Sequence, residues 1–318
     1  MIKAIAGGGP LTFSVVLPTF NNARMLPSAI EALLAQETDA PYEIIVVDNN
    51  SSDETRSVVR SYARRARPEV RYVLEQTQGS SAARNAGIRV AQGEVVAFTD
   101  DDCAPAPDWL QVLAATYGAY PEAWCVGGKI ALVLPDACPL WFRNASPRYD
   151  MAAFFAHLDM GEGTIRLAHP RALWTANFSA RRSTFTRVGV FETALGISKS
   201  GRLTGEDLEF CYRTYRSGGI IYYCGQAVVR HSVRASRMTK RYFRYGAYWG
   251  GRTAAHPLIR GPISTGGATH AAAIMAKDCV KMLAYYAVGR GQRAFECELA
   301  IRQRVGSAVG TIGSWFGG

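Results

Sequence analysis

The chain has no apolar run of roughly 18 residues, the length a membrane-spanning helix needs, so no transmembrane segment is expected. Its seven cysteines are scattered, odd in number and never spaced as CxxC. That argues against a disulfide framework or a paired-cysteine zinc site and suits reduced thiols in a cytoplasmic protein. The first ten residues hold one lysine and a glycine patch but no apolar core, so no secretory signal is expected. Acids are the minority charge, 26 against 36 Lys and Arg, which leaves a net charge of +10. The excess favours anionic partners such as nucleotide phosphates or lipid headgroups. No RNA- or DNA-binding motif accompanies it, so a nucleic-acid partner is not expected. With 48% hydrophobic and 19% charged residues, 318 positions suffice for one large domain or two smaller ones with a sizeable core.

What is present is an alternation. Residues 13–18, 42–47 and 70–75 read as short buried strands, and residues 26–36, 53–65 and 80–90 as helices between them. Strand–helix alternation at this spacing gives βαβ units, hence an α/β fold with a parallel, doubly wound sheet. Polar loops follow one strand after another and collect on one sheet edge, where ligands bind. The turn after the first strand is Pro18-Thr19-Phe20-Asn21. A dinucleotide-binding oxidoreductase would carry GxGxxG there, which disfavours that class.

The most informative stretch is Val95-Val96-Ala97-Phe98-Thr99-Asp100-Asp101-Asp102. A buried strand runs into three acids, which repel one another unless something positive lies among them. A hard divalent cation that also holds substrate phosphates is one solution. An acidic turn leading into the next helix is the other.

These segments stand in a familiar order. Pro18-Thr19-Phe20-Asn21, Val46-Val47-Asp48-Asn49-Asn50-Ser51-Ser52-Asp53, Gly79 through Gly87, the triple acid, Asn177 through Arg182, Val188 through Glu192, Gly205-Glu206-Asp207 and His231 together resemble family 2 glycosyltransferases. The resemblance covers roughly the first 235 residues. It implies the GT-A fold, a Rossmann-like, mostly parallel nucleotide-binding sheet.

The resemblance also implies roles. Pro18, Thr19, Asn21, Asp48 and Asn50 would line the base and ribose pocket, with Asp48 accepting from a base, typically uracil; an Asx turn at a strand end would use the same acid. Arg84 and Asn85 would lie near the nucleotide, Arg84 bracing a carboxylate or reaching a phosphate. Asp100 and Asp102 match the DxD motif and, with His231, would hold Mn2+ or Mg2+. Asp101 would border the nucleotide but face away from the metal. Asp207 would be the general base at a helix start, where the dipole lowers its pKa, and Leu208, Cys211, Tyr212 and Tyr215 would form that helix's apolar face. Trp174, Asn177 and Glu206 would shape the acceptor or donor-sugar pocket; Trp174-Thr175-Ala176 departs from the family pattern, where a Gly often stands.

Residues 135–170 are proline-interrupted and rich in rings (Trp141, Phe142, Tyr149, Phe154, Phe155), either an acceptor cleft or a hydrophobic lining. The expected division is a GT-A domain over 11–232, nucleotide-binding to about 127 and acceptor-binding from 128, then a basic, aromatic helical region over 233–318. That region, with Arg234 to Arg252 interleaved with rings, fits neutralisation of a pyrophosphate, peripheral contact with an anionic membrane or a packed aromatic face. Helices are expected over 268–288 and 294–305, with a loose glycine-rich tail beyond 306. The QxxRW signature of processive relatives is absent. The whole implies a metal-dependent, inverting transferase moving one sugar from a nucleotide-diphosphate donor, typically UDP-linked, to a hydroxyl on an envelope glycan or lipid-linked acceptor. It would act in the cytoplasm or on the cytoplasmic membrane face. A non-catalytic nucleotide-sugar or membrane-binding scaffold is the alternative.

Overall fold

A computed structural model describes residues 12–63, 68–145, 150–169, 173–198, 201–260 and 267–316. In chain order the elements are β1 (Phe13–Thr19), α1 (Leu26–Leu34), β2 (Tyr42–Asp48), α2 (Thr55–Ala63), β3 (Val70–Leu74), α3 (Ser80–Val90), β4 (Val95–Phe98), β5 (Cys103–Pro105), α4 (Trp109–Ala119), β6 (Ala123–Val133), α5 (Leu140–Arg143) and β7 (Thr164–Arg166). There follow β8 (Phe178–Arg181), α6 (Arg182–Val188), β9 (Gly196–Ser198), β10 (Gly201–Leu203), α7 (Glu206–Arg216), β11 (Ile220–Ser232), α8 (Lys240–Ala254), α9 (Pro257–Arg260), α10 (Gly267–Ala287) and α11 (Gly291–Phe316). Arg65, Pro147, Tyr149 and Pro170 lie outside the described residues.

The chain forms two compact units. The first, Met1–Val133, Ala156–Ser200 and Glu206–Ser232, is built on a sheet of order β3-β2-β1-β4-β8-β6-β11-β5, with β7 also on β11. The β3-β2-β1-β4 half is parallel. Beyond β4 the sheet is mixed: β8 runs antiparallel to β4 and β6, and β6 parallel to β11. Alternate strand residues face opposite sides. Val15, Leu17, Ile44, Val46 and Val95 pack with Ile30, Leu33 and Trp109 on one face. Val16, Ile45, Val96 and Phe98 pack with α3 and a phenylalanine cluster on the other. Helices therefore cover both faces, which is why these strands read as continuous hydrophobic runs. The small residues of α3 let it lie close on the sheet: a Cβ added to Gly87 would fall 2.8 Å from Val16 Cγ2.

The second unit is Leu134–Phe155, Gly201–Gly205 and Val233–Gly318. Its core is aromatic. Phe243 is fully buried against Trp141 (5.1 Å between ring centroids), Phe154 (4.9 Å) and Phe155 (5.5 Å), and Trp141 also meets Phe295 (5.5 Å). Trp141, Phe142, Phe154 and Phe155 are thus core packing, not an open cleft. Two cations of α8 are likewise engaged: Arg244 makes a two-point pair with Glu298, and Lys240 lies over Phe295. Helix α11 runs without a break to Phe316, so the expected helix end at 305 and loose tail are corrected. The reason is close helix contact: a Cβ on Gly306 would meet the α8 backbone at Tyr248 C (2.9 Å) and Arg252 N (3.2 Å).

Candidate active site

The loops leaving the parallel strands are pinned to one another. Asn49 donates to Glu75 O (3.1 Å) and Thr77 O (2.7 Å) and accepts from Gly79 N–H (2.8 Å), joining the ends of β2 and β3 to the start of α3. Asn21 sits in the left-handed region (φ 48°), as does Asn50 (φ 63°), conformations that asparagine tolerates better than most residues. Asn21 Oδ1 accepts from Ser52 N–H at 2.8 Å. Asp48 is 2% exposed; its oxygens accept from Ser51 N–H (2.9 Å) and Tyr72 O–H (2.8 Å). Burial, then the Asp48 carboxylate, pushes the Tyr72 hydroxyl up to about 12, so it stays a donor. Pro18 and Thr19 end β1, and Thr19 Oγ1 donates to Asp101 Oδ2 at 2.6 Å. Asp101 is thus turned toward β1, and burial raises it to about 7.

The centre of the site is Arg84, which is 5% exposed. Its Nη2 lies 3.0 Å from Asp100 Oδ1 and its Nη1 2.8 Å from Glu206 Oε1. Burial works against its charge, but Asp100, Glu206 and Asp207 outweigh that and hold the guanidinium pKa above its ordinary value. Ser80 adds a hydroxyl on Glu206 Oε1 at 3.2 Å. The neighbouring Asn85 is not part of this set. It clamps the Phe191 backbone through two hydrogen bonds, 2.8 and 3.0 Å, and is buried.

Asp207 opens α7 on its buried side. That side is Asp207, Phe210, Cys211 and Thr214, spaced i, i+3, i+4, i+7, not the Leu208, Tyr212 and Tyr215 stripe the sequence suggests; Tyr215 is exposed. Phe210 anchors the helix among Phe178, Phe185 and Phe191. The dipole does not decide the Asp207 pKa: burial first, and then Glu206, raise it to about 7 against the pull of Arg84.

A second cluster forms where β11 runs antiparallel to β5. His231 pairs with Cys103, and Ser232 N–H donates to Asp102 O at 2.9 Å. This brings His231 Nε2 to 3.5 Å from Asp102 Oδ1, both side chains buried. The ligand atoms of Asp102, Cys103 and His231 all lie within 4.8 Å of one another. A carboxylate oxygen and an imidazole nitrogen suit Mn2+ and serve Mg2+. Cys103 does not suit either: it is soft, and burial followed by Asp100 and Asp102 raises its thiol well above the ordinary value, so it stays protonated. Asp100 lies outside this group of three, its Oδ1 held by Arg84.

Known proteins share this sequence pattern and fold. Residues 14–131 match glycosyl transferase family 2. Glycosyltransferase AglE of Haloferax volcanii is 28% identical over 236 residues, which is 73% of this chain and 71% of that one. The glucosyl-dolichyl phosphate glucuronosyltransferase of the same organism is 28% identical over 243 residues, 75% and 74% of the two chains. The match to glycosyl transferase family 2 thus covers residues 14–131, and both of these relatives are glycosyltransferases. Its fold is similar to that of the mannosyltransferase PcManGT of Pyrobaculum calidifontis, solved in complex with GDP-Man and Mn2+: TM-score 0.62 at 20% identity, over 95% of this chain and 87% of the other. It is a glycosyltransferase with a GT-A sheet. Among its described residues no helix is long and apolar enough to cross a membrane.

Two expected pocket residues also pack within the protein. Asn177 is 1% exposed and fully committed: its amide donates to Lys129 O and Ala227 O, both at 2.8 Å, and accepts from Trp109 Nε1–H at 2.9 Å. It ties β6, β11 and α4 together, and both of its amide hydrogens are used within the protein. Trp174 is half-buried and packs against the core. Sequence reasoning did not single out Ser80, Tyr72 or Cys103. Only Cys103 carried a signal, its place directly after the acid run.

Proposed function

We propose that this glycosyltransferase transfers a single sugar from a nucleotide-diphosphate donor to a hydroxyl acceptor by direct displacement with inversion, with Asp207 as general base. The observation that carries the reading is the Arg84 bridge between Asp100 and Glu206, which joins the acid run to the start of α7. A carboxylate raised to about 7 is well matched to taking a hydroxyl proton near neutral pH. Arg84 and Ser80 hold Glu206, and Glu206 in turn keeps Asp207 basic. Asp102 and His231 would hold Mn2+ or Mg2+, which when bound supplies positive charge for the leaving diphosphate. Asp100, paired to Arg84, would face the ribose side of the donor, with Pro18, Thr19, Asn21, Asp48, Asn50 and Asp101 bordering the nucleotide. Each Asp48 oxygen accepts one bond within the protein and keeps a second lone pair for a base N–H such as that of uracil. The name of the dolichyl phosphate relative supports a lipid-linked glycan as acceptor.

The test is calorimetric titration with UDP, GDP and dTDP, with and without Mn2+. Metal-dependent binding of one nucleotide, lost in Asp102→Ala and kept in Asp207→Asn, supports the reading and names the donor. Failure of all three, with and without Mn2+, would remove it and favour a non-catalytic scaffold. Near-normal turnover in Asp207→Asn would remove the base.

A further inference from the structure

The outward face of α10 is apolar and uncovered. Val280 is 67% exposed and Leu283 64%, and Ala276, Ala284 and Ala287 lie on the same strip at helical spacing. The opposite side, Met275, Asp278, Cys279 and Met282, is the more buried one, and α10 packs against α11. A helix apolar on both sides is ordinarily covered on both.

The polar residues of the outward face have one sign. Lys277 and Lys281 flank the strip on one side, and Arg290 follows at the helix end; all three are exposed. The one acid of α10, Asp278, is on the packed side and ion-paired with Arg304 of α11. We infer that this face docks on an anionic lipid surface, with Val280, Leu283 and the alanines at the acyl boundary and the two lysines reaching the headgroups. Aromatic α8, the stretch whose sequence suggests membrane contact, spends Phe243 and Ala247 on the core of the second unit. A second copy of the chain fits less well. A two-fold pairing of α10 faces would set lysines near lysines with no acid on that face to answer them.

The experiment is co-sedimentation of the full chain, without nucleotide, with vesicles of phosphatidylcholine alone and with 30% phosphatidylglycerol (a mole fraction of about 0.3 gives a strongly negative surface). Binding is expected to the anionic vesicles only and to weaken with salt. Lys277→Gln with Lys281→Gln should lower partitioning roughly 30-fold, at about fivefold per cation. Val280→Gln with Leu283→Gln should lower it at least tenfold. All four positions are exposed, so thermal unfolding should not shift. Equal binding to both vesicle types, or variants that bind like the parent, would overturn the inference. So would a dimer that the Val280 and Leu283 changes dissolve while vesicles are ignored.

Discussion

Arg84 and Glu206 are 122 residues apart in the chain and 2.8 Å apart at Nη1 and Oε1, both side chains buried. Arg84 is the one described cation paired to both Asp100 and Glu206. Replacing it with methionine leaves Asp100 and Glu206 without the cation between them, with Glu206 and Asp207 buried. Loss of one partner from a buried pair costs about 3–5 kcal/mol. Arg84→Met should lose that much in urea unfolding at pH 7.5 and lose transfer with it. The double change with Glu206→Met should recover part of the stability and none of the activity. Additive losses would mean the pair is not coupled.

Asp207 gives a pH signature whose sign follows from its raised pKa. The folded state binds this proton more tightly than the unfolded chain, from 3.8 up to about 7. The slope of stability with pH is therefore negative across that window: the contribution is complete below about 4 and lost as pH rises through 7. Asp207→Asn should unfold at higher urea than the parent at pH 8, and the gap should close by pH 4. In the parent, log kcat/KM should fall on the acid side with a midpoint near 7. A midpoint near 4 would place the working base elsewhere.

Much of this was legible beforehand, and the reasons differ by residue. The strands ending at Thr19, Asp48 and Phe98 are buried on both faces, so their composition announces them. Asp100 to Asp102 and Asp207 stand out because carboxylates at a strand end and a helix start need a purpose. The partnership of Arg84 with Glu206 was not legible, since it depends on how α7 packs on the phenylalanine cluster. Nor was the raised pKa of Asp207: the local helix start argues for a lowered one, and only burial reverses it. Gly306 and Gly310 read as helix breakers until α8 is seen lying against them.

Asn177 separates motif from mechanism. Its amide satisfies Trp109 Nε1–H, Lys129 O and Ala227 O, the first and last in buried bonds. Asn177→Ala should therefore cost about 2–4 kcal/mol of stability, the range expected when buried partners are left unpaired. In the fraction that remains folded, KM for donor and acceptor should be unchanged. A raised KM with an unchanged unfolding midpoint would return this residue to the substrate pocket.

The glycine seam of the second unit makes the last prediction. Glycine in a helix interior costs roughly 1 kcal/mol against alanine, so Gly306→Ala would stabilise an isolated α11. Here the added methyl meets the α8 backbone at Tyr248 and Arg252, and backbone cannot turn aside as a side chain can. Ser307 Oγ also donates to Gly251 O at 2.9 Å in the same seam, a bond that needs the helices this close. Gly306→Ala should thus destabilise by about 1–3 kcal/mol, the usual cost of overpacking, and Gly306→Leu by more. Lys281→Ala, on an exposed position of α10, is the control and should leave the melting temperature unchanged. A rise in melting temperature for Gly306→Ala would show that propensity wins and that α11 does not press on α8 at this point.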